Sequence, residues 1–331
     1  MGRLILHIGT HKTATTTIQD TFYANSQKLG DLGLIYPVFG AHSGHHCLVT
    51  DWRSRPAAYA IDGGPVEGLA TVADRHASDD RTVFLSSEEF SRPAALSDLG
   101  RVRDALAAFD SVEVVCVLRA QWQFVQSVYA EVSKTRLPPR PPAMVETAIA
   151  DGQADGLWVD YTRILDGLQS TFDPDRITFL DYDVLRHGKS GVVGGIFRQA
   201  RIAVPPRSLK RVNGGRSNVS APPLAIWAAS IASEPAPAPD WLVRRTSEAL
   251  IKEFGEATKT TLFTRSEYNR LRDHFGAAND RLRDRIGATS VDLPLDFPAL
   301  DDFDVYREDI GSGFWAQVTR QLVKGVSESA A

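Results

Sequence analysis

RLILHIGTHKTATTTIQ, residues 3–19, carries the strongest signal in the chain: an apolar run, a short polar turn holding one lysine, then threonines opening a helix. Leu4, Ile5, Leu6 and Ile8 read as a strand buried on both faces, because a strand with one wet face would alternate polar and apolar positions. Gly9 ends it. Beyond the turn, Ile18, Phe22 and Tyr23 fall at roughly helical spacing, which predicts a helix from Thr15 to about Gly30. A strand, a tight turn and a helix N-terminus together make an anion site, since the first helical N–H groups lack partners and the helix dipole is positive there. Lys12 and the hydroxyls of Thr13, Thr15 and Thr16 converge on the same place. The turn is not a Walker A loop, because GxxxxGK(S/T) needs two glycines around four residues and only Gly9 is present.

The whole chain sets the bounds for that site. Its 331 residues suffice for a substantial core, so size does not restrict it to a binding module. With 43% hydrophobic and 24% charged residues and a net charge of -4, it has ordinary globular composition and no electrostatic case for nucleic acid. Only Cys47 and Cys116 occur, the second inside the apolar run VEVVCVL, which argues against a disulfide framework and for a reducing cytosol. No signal-peptide h-region and no membrane-length apolar run is present, so a soluble, cytoplasmic protein without an integral membrane segment is expected. Arginine outnumbers lysine 29 to 8, which makes Lys12 less incidental.

Along the chain, strands and helices alternate. LGLIYP (32–37) reads as a short strand stopped by Pro37, and the following stretch carries His42, His45 and His46 in a surface loop. RTVFLSSEEF gives a buried strand running into Ser86, Ser87, Glu88 and Glu89. A helix over 94–109 leads to VEVVCVL, which ends at Arg119, and a helix from Gln121 to about Thr135 gives way to LPPRPPA. The prolines there predict an extended lid-like segment. RITFLDYDVL supplies a fourth strand. Then RVNGGRSN (211–218) places Arg216 in a Gly/Asn-rich loop, and helices at 221–233, 240–254 and 266–285 fill the C-terminal part.

This pattern predicts an α/β fold, a mostly parallel sheet flanked by helices, with a helical C-terminal part. A single domain is expected over 1–331, with an α/β nucleotide-binding core at 1–205 and a mainly helical extension at 206–331. In such sheets ligands sit beyond the carboxyl ends of the strands, where Gly9, Glu88 and Arg119 all lie.

KTATT, preceded by His11, resembles the 5'-phosphosulfate loop of sulfotransferases that use 3'-phosphoadenosine 5'-phosphosulfate (PAPS), usually PK(S/T)GTT after a strand. Lys12, Thr13, Thr15 and Thr16 fall on that pattern, while His11 stands at its proline and Ala14 at its glycine. At ordinary helical φ alanine costs nothing there, and that conformation is expected for Ala14. VVCVLRAQWQFVQSVY (114–129) is a second match: Arg119 just past a strand and Ser127 eight residues on, the spacing with which the family binds the nucleotide's 3'-phosphate. Arg offers phosphate a planar fork of donors and Ser one more hydroxyl. With LGLIYP, SSEEF, DYTRIL and FLDYDVL, the chain is similar to bacterial sulfotransferases over most of its length, least so in the C-terminal third.

The resemblance implies a P-loop NTPase-like fold and transfer of the sulfuryl group from PAPS, leaving PAP, to a carbohydrate, lipid or small-molecule acceptor, with no metal. Lys12 would stabilise the leaving phosphate. Glu88 is the preferred base, as related carbohydrate sulfotransferases use a glutamate and others a histidine; its competitors are Glu89, His42, His45 and His46. Arg216 would close over the nucleotide, although the family's GxxGxxK loop is absent. The rivals are an ATP-dependent kinase, with Asp181 as a magnesium ligand, and a non-catalytic nucleotide-binding protein in which Ala14 has disabled the loop. Oligomeric state is not legible.

Overall fold

The computed structural model describes residues 2–52, 55–204, 208–210, 212, 221–287 and 293–329, and strands alternate with helices through the first two thirds of the chain. In chain order the elements are β1 (Arg3–His7), α1 (Thr15–Ala24), α2 (Ser26–Asp31), β2 (Leu34–Ile35), α3 (Gly64–His76), β3 (Thr82–Ser86), α4 (Pro93–Ser97), α5 (Leu99–Ala105) and β4 (Ser111–Leu118). There follow α6 (Gln121–Val132), α7 (Pro141–Asp151), β5 (Gln153–Ala154), β6 (Leu157–Trp158), α8 (Tyr161–Gln169), β7 (Ile177–Asp181), α9 (Tyr182–His187) and α10 (Gly191–Ala200). The rest is α11 (Pro223–Ser233), α12 (Asp240–Phe254), α13 (Arg265–Ile286) and α14 (Ser312–Ser329). Among the described residues no helix is long and apolar enough to cross a membrane. Cys47 and Cys116 are buried free thiols.

The chain divides into two compact units that interleave in sequence. One comprises Met1–Arg119, Gly156–Ser217 and Ala278–Leu295; the other comprises Ala120–Asp155, Asn218–Ala277 and Asp296–Ala331. In the first, five strands form one parallel sheet in the order β2-β3-β1-β4-β7. The register pairs His7 with Ser86 across β1 and β3. Side chains alternate between faces as the pleat requires. Leu4, Leu6, Val83, Leu85, Val114 and Cys116 pack with Leu69 and Val72 of α3, Val102 of α5 and Ile164 and Leu168 of α8. Ile5, Phe84, Val115 and Val117 pack with Ile18 and Phe22 of α1 and Ile196 and Phe197 of α10. A sheet covered on both faces explains the unbroken apolar runs of its central strands.

The second unit is mostly helical. Leu224 and Ala228 of α11, Ala249 and Leu250 of α12 and Phe314 and Val318 of α14 share one apolar core. The buried Thr246 hydroxyl, on α12, donates to the Ala225 carbonyl of α11 at 2.8 Å. In α6, the Gln126 side-chain oxygen accepts from the Leu262 amide at 2.6 Å and the Thr261 hydroxyl at 3.2 Å, which anchors that helix within its unit.

Several expected boundaries moved for identifiable reasons. The helix expected from Thr15 to about Gly30 is two, α1 and α2, broken at Asn25, whose side chain holds both backbone groups of Lys210 at 2.8 and 3.1 Å and donates to the Thr21 carbonyl at 2.8 Å. The helix expected over 94–109 is two short ones broken at Asp98. Of LPPRPPA, expected to be extended, residues 137–140 lie outside any helix, but the rest starts α7: Pro141 and Pro142 occupy its first positions, where no intrahelical N–H is needed. The C-terminal α14 had no counterpart in the sequence reading.

Candidate active site

The loop from Gly9 to Ala14 is fastened to the neighbouring strand before it turns. The Thr10 amide and hydroxyl both donate to the Val117 carbonyl of β4, at 2.9 and 3.0 Å. Thr13, fully buried, then closes the turn by donating its hydroxyl to the Thr10 carbonyl at 2.6 Å. To pass from strand to helix within this short closure, Lys12 and Ala14 both adopt positive φ, 65° and 61°. Ala14 is therefore not helical, as expected from sequence, but left-handed at φ 61°, ψ 27°, directly before α1. The glycine-like conformation is met by a residue that spends about 1–2 kcal/mol to hold it.

Backbone that alternates in this way turns successive N–H groups into one concavity, and the first N–H groups of α1 add to it. No side chain caps α1, and its first turn holds no acidic residue. Thr15 is buried and Thr16 exposed at the start of that helix. The loop thus presents backbone donors, a lysine and threonine hydroxyls, an arrangement suited to an oxyanion.

Arg119, one residue past β4, belongs to the same place. Its Nη1 donates to the Lys12 carbonyl at 3.2 Å, and its guanidinium lies over the Tyr182 ring, 5.1 Å from the centroid. The Tyr161 hydroxyl donates to the Arg119 carbonyl at 2.5 Å. Burial pushes the Arg119 pKa down, which marks a cation partly stripped of water. Ser127, half-buried on α6, falls in the second unit, and Arg216 lies outside the described residues.

The C-terminal end of β3 carries the carboxylates. Gln19 of α1 donates its side-chain amide to Glu88 at 2.9 Å. Glu89 instead receives His11 at 3.1 Å and Arg92, which bonds its other oxygen. Burial pushes the Glu89 pKa up, but those two partners outweigh it and hold the carboxyl down to about 2. His11, at the resemblance's proline position, therefore ties the loop to the end of β3.

The loop expected to line the surface is largely inside. His45 accepts the Ser86 amide at Nδ1, 2.8 Å, and donates from Nε2 to the Pro37 carbonyl, 2.7 Å. Both ring nitrogens are used, and burial lowers its pKa to about 4. His46 contacts the Ser87 hydroxyl through Nδ1 at 2.7 Å and meets the rings of Trp52 and Tyr59 edge-on. Gly44 lets these side chains come close: a Cβ there would sit 2.6 Å from His46 Nε2 and 2.8 Å from Gln19 Oε1, so both would have to shift. His42 is exposed and packs on Tyr59.

Within the first unit the fold therefore joins Arg119 to the Lys12 backbone, His11 to Glu89, and Gln19 to Glu88. Sequence reasoning missed Gln19, Tyr161, Tyr182 and His7. Of these only His7 had a visible signal, a lone polar residue inside a strand otherwise apolar on both faces. Asp181 N-caps α9, one carboxylate oxygen accepting from Asp183 and Val184 at 2.7 and 3.1 Å and the other from Leu295 at 2.9 Å.

No family model matches the chain, and no curated protein matches it. Among solved structures it is similar to a sulfotransferase from Alicyclobacillus acidocaldarius, 14% identical with a TM-score of 0.42, over 69% of this chain and 92% of that one. A likeness of this extent assigns no residue roles.

Proposed function

We propose that the chain is a sulfotransferase that takes a sulfuryl group from PAPS and passes it in line to a hydroxyl or amine of a carbohydrate, lipid or small-molecule acceptor. The observation that carries this reading is the Gly9–Ala14 loop with Arg119 folded back on its Lys12 carbonyl at 3.2 Å. One lysine, one desolvated arginine and a ring of backbone donors suit a ligand with an anion at each end, and PAPS is such a ligand. When bound, PAPS supplies a sulfuryl group on a phosphate leaving group. Lys12 and the loop N–H groups would bind that phosphate and oppose its developing charge. Arg119 would hold the 3'-phosphate.

Glu88 is the base this geometry favours. Glu89 is held as a strongly acidic carboxylate by His11 and Arg92. His45 has both nitrogens engaged. His46 has its Nδ1 engaged with the Ser87 hydroxyl at 2.7 Å, a hydroxyl that also accepts the Glu89 amide at 3.2 Å. The Glu88 carboxylate accepts the Gln19 amide at 2.9 Å, a neutral donor that orients the carboxylate without neutralising it. The kinase reading loses support, because each Asp181 oxygen is committed to backbone amides. An intact loop is supported by Ala14, which adopts the left-handed conformation that a glycine would.

Calorimetric titration separates the readings. PAP binds the wild type, and Arg119→Ala weakens it about tenfold or more, as expected for a lost charge-assisted hydrogen bond. Binding of ADP that depends on magnesium, with no binding of PAP, would overturn the assignment. In turnover with PAPS, Lys12→Ala abolishes transfer, while Glu88→Gln lowers kcat by about a hundredfold or more with PAP affinity unchanged.

A further inference from the structure

Lys12 and Glu88 stand on two separate pieces of the fold, and a residue adjacent to each in the chain ties those pieces together. Thr10 fastens the loop that carries Lys12 to β4, on the far side of β1 from β3. Glu88 opens a short 3-10 turn beyond β3, Glu88–Ser91. That turn is well anchored. Phe90 is fully buried in the core, the Ser87 hydroxyl accepts the Glu89 amide at 3.2 Å, and the Ser91 hydroxyl donates to the Glu88 carbonyl at 2.7 Å.

Between loop and turn runs the contact of His11 Nε2 with Glu89 Oε1, 3.1 Å long and joining residues 78 apart in sequence. Both side chains are mostly inside, 16% and 11% exposed. Glu89, held down to about 2, is ionised and can only accept, so the proton of this bond lies on His11 Nε2. Arg92 bonds the other Glu89 oxygen and stands farther from the same ring nitrogen, at 3.4 Å. A bond from a ring N–H to an ionised carboxylate, largely sheltered from water, is directional and among the stronger side-chain contacts. It lies one residue from Lys12 at one end and one residue from Glu88 at the other.

We propose that His11 and Glu89 are positioning residues of the transfer site, their hydrogen bond setting the separation between Lys12, which binds the leaving phosphate, and Glu88, which takes the acceptor's proton. This rests on the sulfotransferase reading with Glu88 as base. In-line transfer puts the leaving and entering oxygens on opposite sides of the sulfur, so the groups serving them must keep a fixed spacing; a misplacement of about 1 Å costs about a hundredfold in rate. Thr10 holds the loop on the β4 side, and His11 supplies the link on the side of the base. The two neighbouring glutamates thus have different tasks: Glu89, too acidic to take a proton, holds the loop, and Glu88 faces the acceptor.

The test compares PAP release from PAPS, with p-nitrophenol, glucose and water as acceptors, against PAP affinity by calorimetry on the same proteins. His11→Leu lowers kcat about tenfold or more, while PAP affinity stays within about threefold because the Thr10 and Thr13 bonds of the loop remain. His11→Asn, polar but too short to reach Glu89, repeats that loss and serves where the leucine variant fails to fold. His11→Gln, whose side-chain N–H reaches about as far as Nε2, recovers kcat to within about threefold of the wild type. In a Glu89→Leu background, His11→Leu changes kcat by less than about twofold, since the bond is already broken. Unchanged kcat in His11→Leu, PAP affinity falling in step with kcat, no recovery in His11→Gln, or full independent losses in the double variant would each overturn the proposal. A wild type that releases PAP no faster than buffer overturns it as well; if that protein also binds no PAP, the sulfotransferase reading falls with it.

Discussion

Ala14 shows how little one side chain controls when its neighbours set the backbone. The Thr13 hydroxyl closing on Thr10, and Thr10 doubly bonded to β4, leave residue 14 only the left-handed conformation. Glycine there removes strain of about 1–2 kcal/mol but adds about 0.4–1 kcal/mol of unfolded-state entropy. Ala14→Gly is therefore expected to stabilise the protein by up to about 1.6 kcal/mol and to leave PAP affinity intact, whereas Ala14→Val destabilises it, as measured by denaturant unfolding. Destabilisation by Ala14→Gly would mean that the loop does not hold this conformation in solution. No residue propensity announces a left-handed alanine, so the sequence reading placed it in the helical region.

At the scale of elements, the site depends on how α1 is seated. Phe22 is fully buried and lies 4.9 Å from both Phe84 of β3 and Phe197 of α10, so one side chain pins the helix to the sheet and to its neighbour. Phe22→Ala is expected to cost about 3–5 kcal/mol by cavity formation and lost contacts. Because Gln19 sits one turn earlier and orients Glu88, the same variant should raise KM and lower kcat together under conditions where it remains folded. Full activity in a folded Phe22→Ala protein would show that the Gln19–Glu88 contact does not depend on this packing. The period of Ile18 and Phe22 made α1 legible in sequence, but its end at Ala24 was not, since Asn25 is drawn out by Lys210, 185 residues away.

For the molecule as a whole, buried histidines set a pH limit. His7 and His45 are fully buried and neutral, with pKa values lowered to about 4 from an ordinary 6.5. Between those values the unfolded chain binds more protons than the folded one, so their contribution to stability is complete above about pH 6.5 and is lost as pH falls toward 4. Two such rings give a slope of up to about 2.7 kcal/mol per pH unit. Denaturant midpoints should fall between pH 7 and 4.5; midpoints that stay level would contradict two neutral buried rings.

Hydrophobic period and strand-end chemistry were enough to read the α/β class, the parallel sheet and the loop with Lys12 and Arg119, because those signals are local and repeat every two or 3.6 residues. What the tertiary structure alone decided was pairing. It assigned Glu89 to His11 and Arg92 but Glu88 to Gln19, spent both nitrogens of His45, committed Asp181 to backbone amides and set His7 Nδ1 against the Ser86 hydroxyl. Hydrogen-bond partners come from elements far apart in the chain, and a side chain's chemistry is set by which of them it meets.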